Sequence, residues 1–162
     1  MKVLIAYYSF THNTEKISLG LLEFLKEKGH QTDLLGLKPQ KEAQKFIHQA
    51  VGAFTKTGAE LGDGVNCDFS GYEAIFIASP VWAFSPAPII SEYISKTQNV
   101  KAKNIYLIVT YGSGLGKNRA LDIMESALVK KGGVILAKID ISDKKVKDAL
   151  YLREIFSKEI EI

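Results

Sequence analysis

The chain is 162 residues long, 46% hydrophobic and 24% charged, with a formal net charge of +3. That length gives one domain, residues 1–162, able to bury a real core, with the composition of a soluble globular protein. The basicity is mild and its lysines are spread along the chain, which argues against a nucleic-acid binder.

Cys67 stands alone, so no internal disulfide forms and a reducing cytoplasm is the natural compartment. No apolar run approaches the roughly 18 residues of a membrane span. The start, MKVLIAYYSF, lacks a small-residue cleavage site and turns polar too soon for a signal peptide. It reads as the first strand.

Lys2 to Tyr8 is a near-continuous apolar run, the pattern of a strand buried on both faces. Glu15 to Lys28 places Ile17, Leu21, Leu22, Phe24 and Leu25 at helical spacing, and Gly29 supplies the stop. Thr32 to Leu37 is a short second strand. Lys38 to Gly71 holds no convincing strand. Within it Ala43, Phe46, Ile47, Ala50, Val51 and Phe54 predict an amphipathic crossover helix, and Gly58, Gly62, Gly64 and Gly71 mark irregular chain. The alternative reading of that segment is a docking surface bearing Lys38, Lys41, Lys45 and Lys56.

Ala74 to Ala78 is the third strand, Asn104 to Thr110 the fourth and Val134 to Ile141 the fifth. Helices are predicted over Pro88 to Thr97 and Lys117 to Lys131. A last helix follows Ser142, a suitable N-cap with Asp143 in the first turn. Alternating strands and helices imply a doubly wound α/β domain, a five-stranded parallel sheet with helices on both faces. Ligands of such sheets bind beyond the carboxyl ends of the strands, so the loops there come first.

The first strand is followed by Ser9, Phe10, Thr11, His12, Asn13 and Thr14. A helix start presents unpaired N–H groups and partial positive charge, and neighbouring hydroxyls can bind a phosphate without a lysine. A helix cap is the alternative, but one Ser or Thr suffices for it. No Gly-Lys-Ser/Thr is present, which rules against a triphosphate loop. No acidic pair follows the strand, so neither a metal-dependent phosphoreceiver nor a metal site is read here.

The third strand is followed by Ser79, Pro80, Val81, Trp82, Ala83, Phe84, Ser85 and Pro86. Prolines stiffen this loop. Its aromatics either fold back on the core or give a planar ring a face to stack on. The fourth strand leads into Thr110, Tyr111, Gly112, Ser113, Gly114, Leu115 and Gly116. Its glycines let backbone approach a ligand closely. The GxGxG spacing is not the dinucleotide fingerprint. One loop thus suits a phosphate, one suits stacking and one suits close backbone contact. All three should emerge at the same end of the sheet.

On these motifs the chain resembles the flavodoxin-like family, which binds flavin mononucleotide (FMN), over essentially its whole length and in the short form. The resemblance implies strand order 2-1-3-4-5. It makes Ser9, Thr11, Asn13 and Thr14 the phosphate loop, with His12 where the family has glycine. It makes Ser79 to Phe84 the first flavin loop, with Trp82 stacking and Tyr111 or Phe84 as substitutes. Thr110 to Gly114 and Gly116 then contact the pyrimidine edge. It implies an FMN-dependent electron carrier with a redox partner protein. The alternatives are an NAD(P)H-dependent FMN/quinone oxidoreductase and a flavin-free binding module. The basic balance departs from the acidic flavodoxins and calls for a partner with an acidic or neutral surface, with no nucleic acid or membrane, and a monomer or homodimer. The three loops contain no Asp or Glu, so repulsion of a reduced, anionic flavin should be weak. His30, His48 and Cys67 receive no role.

Overall fold

Successive residues of a strand point to opposite faces of a sheet, and that alternation builds the core here. β1 (Lys2–Tyr7), β3 (Ala74–Trp82) and β5 (Asn104–Tyr111) are buried over most of their length, as both-face apolar runs require. Leu4, Ala6, Ile75, Ile77, Ile105, Leu107 and Val109 fill one layer. Val3, Ile5, Ala74, Phe76, Ala78, Tyr106 and Ile108 fill the other. α2 (Pro88–Lys96) and α3 (Lys117–Val129) cover the first layer through Ile89, Ile90, Tyr93, Leu121, Met124 and Leu128. α1 (Asn13–Glu27) and α4 (Ala149–Glu159) cover the second through Ile17, Leu21, Phe24, Leu25, Leu152 and Phe156.

The computed structural model describes residues 1–39 and 60–162. The amphipathic helix expected around Ala43 to Phe54, with Lys41, Lys45 and Lys56, lies outside the described residues. The sheet is completed by β2 (Gln31–Gly36) and β6 (Val134–Ser142), in the order β2-β1-β3-β5-β6, every neighbouring pair parallel. This is the doubly wound sheet expected from the sequence. A short β4 (Ser85–Pro86) pairs antiparallel with β3 alone. Among the described residues no helix is long and apolar enough to cross a membrane.

β3 continues past the expected Ala78 to Trp82, because Ser79 and Pro80 pair with Val109 and Thr110 of β5, and Val81 and Trp82 with Pro86 and Ser85. Much of the second loop is therefore strand and hairpin. The final helix does not follow Ser142 directly. Ser142 Oγ accepts the Lys144 N–H at 3.4 Å and caps a 3-10 turn, Asp143–Lys145. Asp148 caps α4 instead, accepting the Tyr151 N–H at 3.0 Å. β6 also carries a bulge: Ile105 faces Ile135 and Tyr106 faces Ala137, leaving Leu136 as the extra residue.

Candidate functional site

Because β1, β3, β5 and β6 run parallel, the loops after them leave the same edge of the sheet. The first loop ends at His12, the N-cap of α1, in the left-handed region at φ 62° and ψ 5°. Histidine enters this region more readily than most residues, which lets it stand where a glycine would. Among the described residues no side chain caps α1, so the cluster of small polar residues is not a helix cap. The first N–H groups of α1 are left for other acceptors.

The four polar residues take different positions. Ser9 Oγ is shut from solvent and has no hydrogen-bond partner among the described residues. Thr11 is exposed and Asn13 half-buried. Thr14 is buried, its Oγ1 2.9 Å from Thr110 Oγ1 on β5. A pair of hydroxyls has two protons and uses one between them, so one O–H remains for a further acceptor. His12 is held sideways: its Nδ1 lies 2.6 Å from Glu15 Oε2, while Tyr7 Oη donates to Glu15 Oε1 at 3.3 Å. The His12 hydrogen bond holds the Glu15 carboxyl below the usual carboxylate range.

In the second loop Ser79 is buried, donating to the Pro80 carbonyl and accepting the Ala87 N–H, each at 2.9 Å. Its hydroxyl closes the base of the hairpin. Ala83 (φ 45°) and Phe84 (φ 66°) form the two-residue tip, both in the positive-φ geometry of a type I′ turn that normally selects Asn and Gly. Trp82 is half-buried. Tyr8 and Phe10 meet it edge-on, with centroids 5.7 Å and 6.1 Å away.

The third loop closes against the second. A Cβ on Gly116, at φ 78°, would lie 2.5 Å from Phe84 Cα, so only glycine allows this contact. Gly114 shares that φ and lies beside the Tyr111 ring. Gly112 and Ser113 are exposed. Three loops from three strands thus meet: the first at the third through Thr14 and Thr110, the first at the second through Phe10 and Trp82, the second at the third through Phe84 and Gly116.

No protein-family model and no curated protein sequence matches the chain. Solved structures do match it. A flavoprotein from Lactobacillus acidophilus NCFM, solved in complex with FMN, is 22% identical, with 92% of this chain and 98% of that one covered at TM-score 0.64. Oxidised flavodoxin 2 from Bacillus cereus is 16% identical, with 99% and 100% covered at TM-score 0.65. Two-electron reduced Megasphaera elsdenii flavodoxin is 16% identical, with 94% of each chain covered at TM-score 0.61. The fold is that of the flavodoxins.

On this flavodoxin fold the site gathers groups that a loop-by-loop reading misses. Tyr8 and Phe10 wall the Trp82 ring. Asp140 on β6 binds Lys117 Nζ at 2.6 Å, and the ammonium sits 5.0 Å above the Tyr111 ring. That hydrogen bond to Asp140 raises the Lys117 ammonium above its usual range. Asp143 Oδ2 lies 3.7 Å from where a Gly112 Cβ would be. The loops contain no carboxylate of their own, yet β6 brings two beside the third loop. The signal was the parallel register, Thr110 to Ile141 and Tyr111 to Ser142, which sets the residues around the end of β6 against that loop.

Proposed function

We propose that the chain is an FMN-binding flavodoxin-type electron carrier of the cytoplasm, serving a redox partner protein. The observation that carries this reading is Ser9, whose Oγ is buried without a partner among the described residues, beside the start of α1. An unsatisfied buried hydroxyl costs about 1–3 kcal/mol. Phosphate oxygens are acceptors that hydroxyls and helix N–H groups bind together. On this reading Ser9, Thr11, Asn13 and the Thr14–Thr110 pair hold the phosphate, with His12 alongside. Trp82 offers its ring for stacking, and the Ser79–Phe84 hairpin positions it. Tyr111, Gly112, Ser113, Gly114 and Gly116 offer backbone to the pyrimidine edge. The bound flavin would supply the one- and two-electron chemistry. The protein's part is binding, orientation and charge, and no side chain acts as nucleophile or general base. Likeness in fold to flavodoxins, and to a flavoprotein solved with FMN, supports the reading.

Titration with FMN and with riboflavin tests it, read by emission from Trp82, the single tryptophan. FMN should bind tightly, colour the protein yellow and quench Trp82 almost completely. Riboflavin, which lacks the phosphate, should bind far more weakly. Equal affinities would remove the phosphate role of the first loop. Binding of neither would leave a flavodoxin-shaped module without flavin. Unquenched emission in a saturated yellow protein would move stacking to Tyr111 or Phe84. Rapid NAD(P)H oxidation with a quinone and no added reductase would replace the carrier by an NAD(P)H-dependent quinone oxidoreductase.

A further inference from the structure

The loop tips leave large apolar side chains in solvent. Phe10 is 44% exposed, Phe84 49% and Leu115 68%. They are linked. The Phe10 ring packs on Trp82, Trp82 opens the hairpin that Phe84 tips, and Phe84 rests on Gly116 beside Leu115. Single exposed apolar residues are ordinary, whereas a linked set within a polar rim marks an interaction site.

The rim is cationic. Lys16 lies in the first turn of α1, Arg119 in the first turn of α3, and Lys144 in the turn after β6. All three are exposed, and none forms an ion pair with a described residue. α1 and α3 cover opposite faces of the sheet, so cations flank the apolar tips from both sides. The carboxylates at this end are mostly taken: Glu15 by His12, Asp140 by Lys117, Asp148 by Lys145. Asp143, beside Gly112, forms no ion pair with a described residue.

We infer that this face docks an acidic protein surface, with Phe10, Phe84 and Leu115 at the centre and Lys16, Arg119 and Lys144 around it. An apolar aromatic centre with an arginine and a charged rim is the anatomy of a protein interface. Nucleic acid fits less well, since a duplex presents phosphates whereas the centre of this face is apolar. The inference uses protein atoms alone and does not require a bound flavin.

The test is an NMR titration of the 15N-labelled full chain, first without and then with added FMN. The probe is an acidic plant-type ferredoxin, and basic cytochrome c is the control. The ferredoxin should shift or broaden the amides of Phe10, Phe84 and Leu115, and cytochrome c should not. Affinity should fall about tenfold or more between low salt and ~0.5 M salt, where surface charges are screened. Replacing Lys16, Arg119 and Lys144 together by Gln should weaken binding about tenfold and flatten the salt dependence. Phe10→Ser with Leu115→Ser should weaken binding while keeping the salt dependence. Well-dispersed spectra of both variants show that they are folded. Absence of any ferredoxin footprint, a footprint on another face, or the same footprint with cytochrome c overturns the inference. Tighter binding of a short DNA duplex at this face overturns it in favour of nucleic acid. None of these outcomes depends on whether FMN binds, which the spectrum of the flavin-loaded sample reports separately.

Discussion

Thr14 and Thr110 lie 96 residues apart in the chain, yet their hydroxyl oxygens are 2.9 Å apart in the core. They are 1% and 2% exposed, so neither has water as a substitute partner. Thr14→Val leaves the Thr110 hydroxyl stranded, and Thr110→Val strands Thr14. Each single change should cost about 1–3 kcal/mol, and the double change much less than their sum, since it removes both polar groups at once. Urea denaturation of the four proteins measures the cycle. Strictly additive losses would mean that the pair does not tie the first loop to the third.

Ser9 gives a prediction with two opposite signs. Its buried Oγ has no partner among the described residues. Ser9→Ala removes that unsatisfied atom, so the ligand-free protein should gain about 1 kcal/mol in stability. If the hydroxyl serves a phosphate, the same variant binds FMN more weakly and binds riboflavin as before. Thermal unfolding without flavin and titration with both flavins read the two effects. A destabilised ligand-free variant would make Ser9 a packing residue.

The hairpin tip stores backbone strain that sequence changes can release or increase. Ala83 sits at φ 45°, a conformation that asparagine accepts at lower cost. Ala83→Asn should stabilise the protein by about 0.5–1 kcal/mol. Gly116→Ala acts the other way. Its Cβ would meet Phe84 Cα at 2.5 Å, backbone that cannot swing aside, in a residue held at φ 78°. A loss of about 2–4 kcal/mol is expected, with displacement of the hairpin. Denaturation midpoints check both, and an unharmed Gly116→Ala would show that the second and third loops move independently.

The layers of the fold were legible because they rest on periodicity. Continuous apolar runs gave the buried strands, and Ile17, Leu21 and Leu25 the inner stripe of α1. The loop order was legible because helix starts, prolines and glycines are local signals. What escaped was set by pairing across the sheet. Nothing in SPVW says strand until Ser79 and Pro80 meet Val109 and Thr110, and Val81 and Trp82 meet Pro86 and Ser85. Ser79 reads as a ligand group, and nothing in the sequence shows that its hydroxyl closes its own hairpin. Thr14 reads as a phosphate-loop residue, with no sign in the sequence that it meets Thr110, and Asp140 reaches Lys117 only through strand register. His30, whose two ring nitrogens are buried without partners among the described residues, carries no sequence signal at all.

Acid should weaken the fold through specific carboxylates. The His12 hydrogen bond holds Glu15 below the usual range, the Arg153 guanidinium holds Glu27 down, and the Tyr151 N–H holds Asp148 down. A carboxyl whose folded value is depressed favours the folded state above its unfolded value. That stability is lost as pH falls through the folded value, so melting temperature should drop on the acid side of the carboxylate range. These groups are exposed, so salt should blunt the effect. Arg153→Gln should remove the Glu27 part alone. Melting curves against pH measure it, and an unchanged acid limb in Arg153→Gln would show that the bidentate contact, at 3.1 Å and 2.6 Å, adds nothing in solution.

Charge beside the third loop should tune a bound flavin, a prediction that rests on FMN binding. The loops themselves carry no Asp or Glu, but Asp143 stands beside Gly112, and Lys117 is neutralised by Asp140. A nearby carboxylate disfavours a reduced, anionic ring, so Asp143→Asn should make the second-electron potential less negative, on the order of 50 mV. Lys117→Gln removes a cation and leaves Asp140 unpaired, so it should move the potential the other way. Lys117→Gln with Asp140→Asn removes a neutral pair and should change it little. The wild-type potential should still be less negative than that of strongly acidic flavodoxins, because exposed Lys16, Arg119 and Lys144 stand at this end beside Asp143. Spectroscopic titration against dyes of known potential gives all four values. If Asp143→Asn and Lys117→Gln leave the potential where it is, ring packing against Trp82 sets it instead, and the charges at the end of β6 serve the fold and the docking face alone.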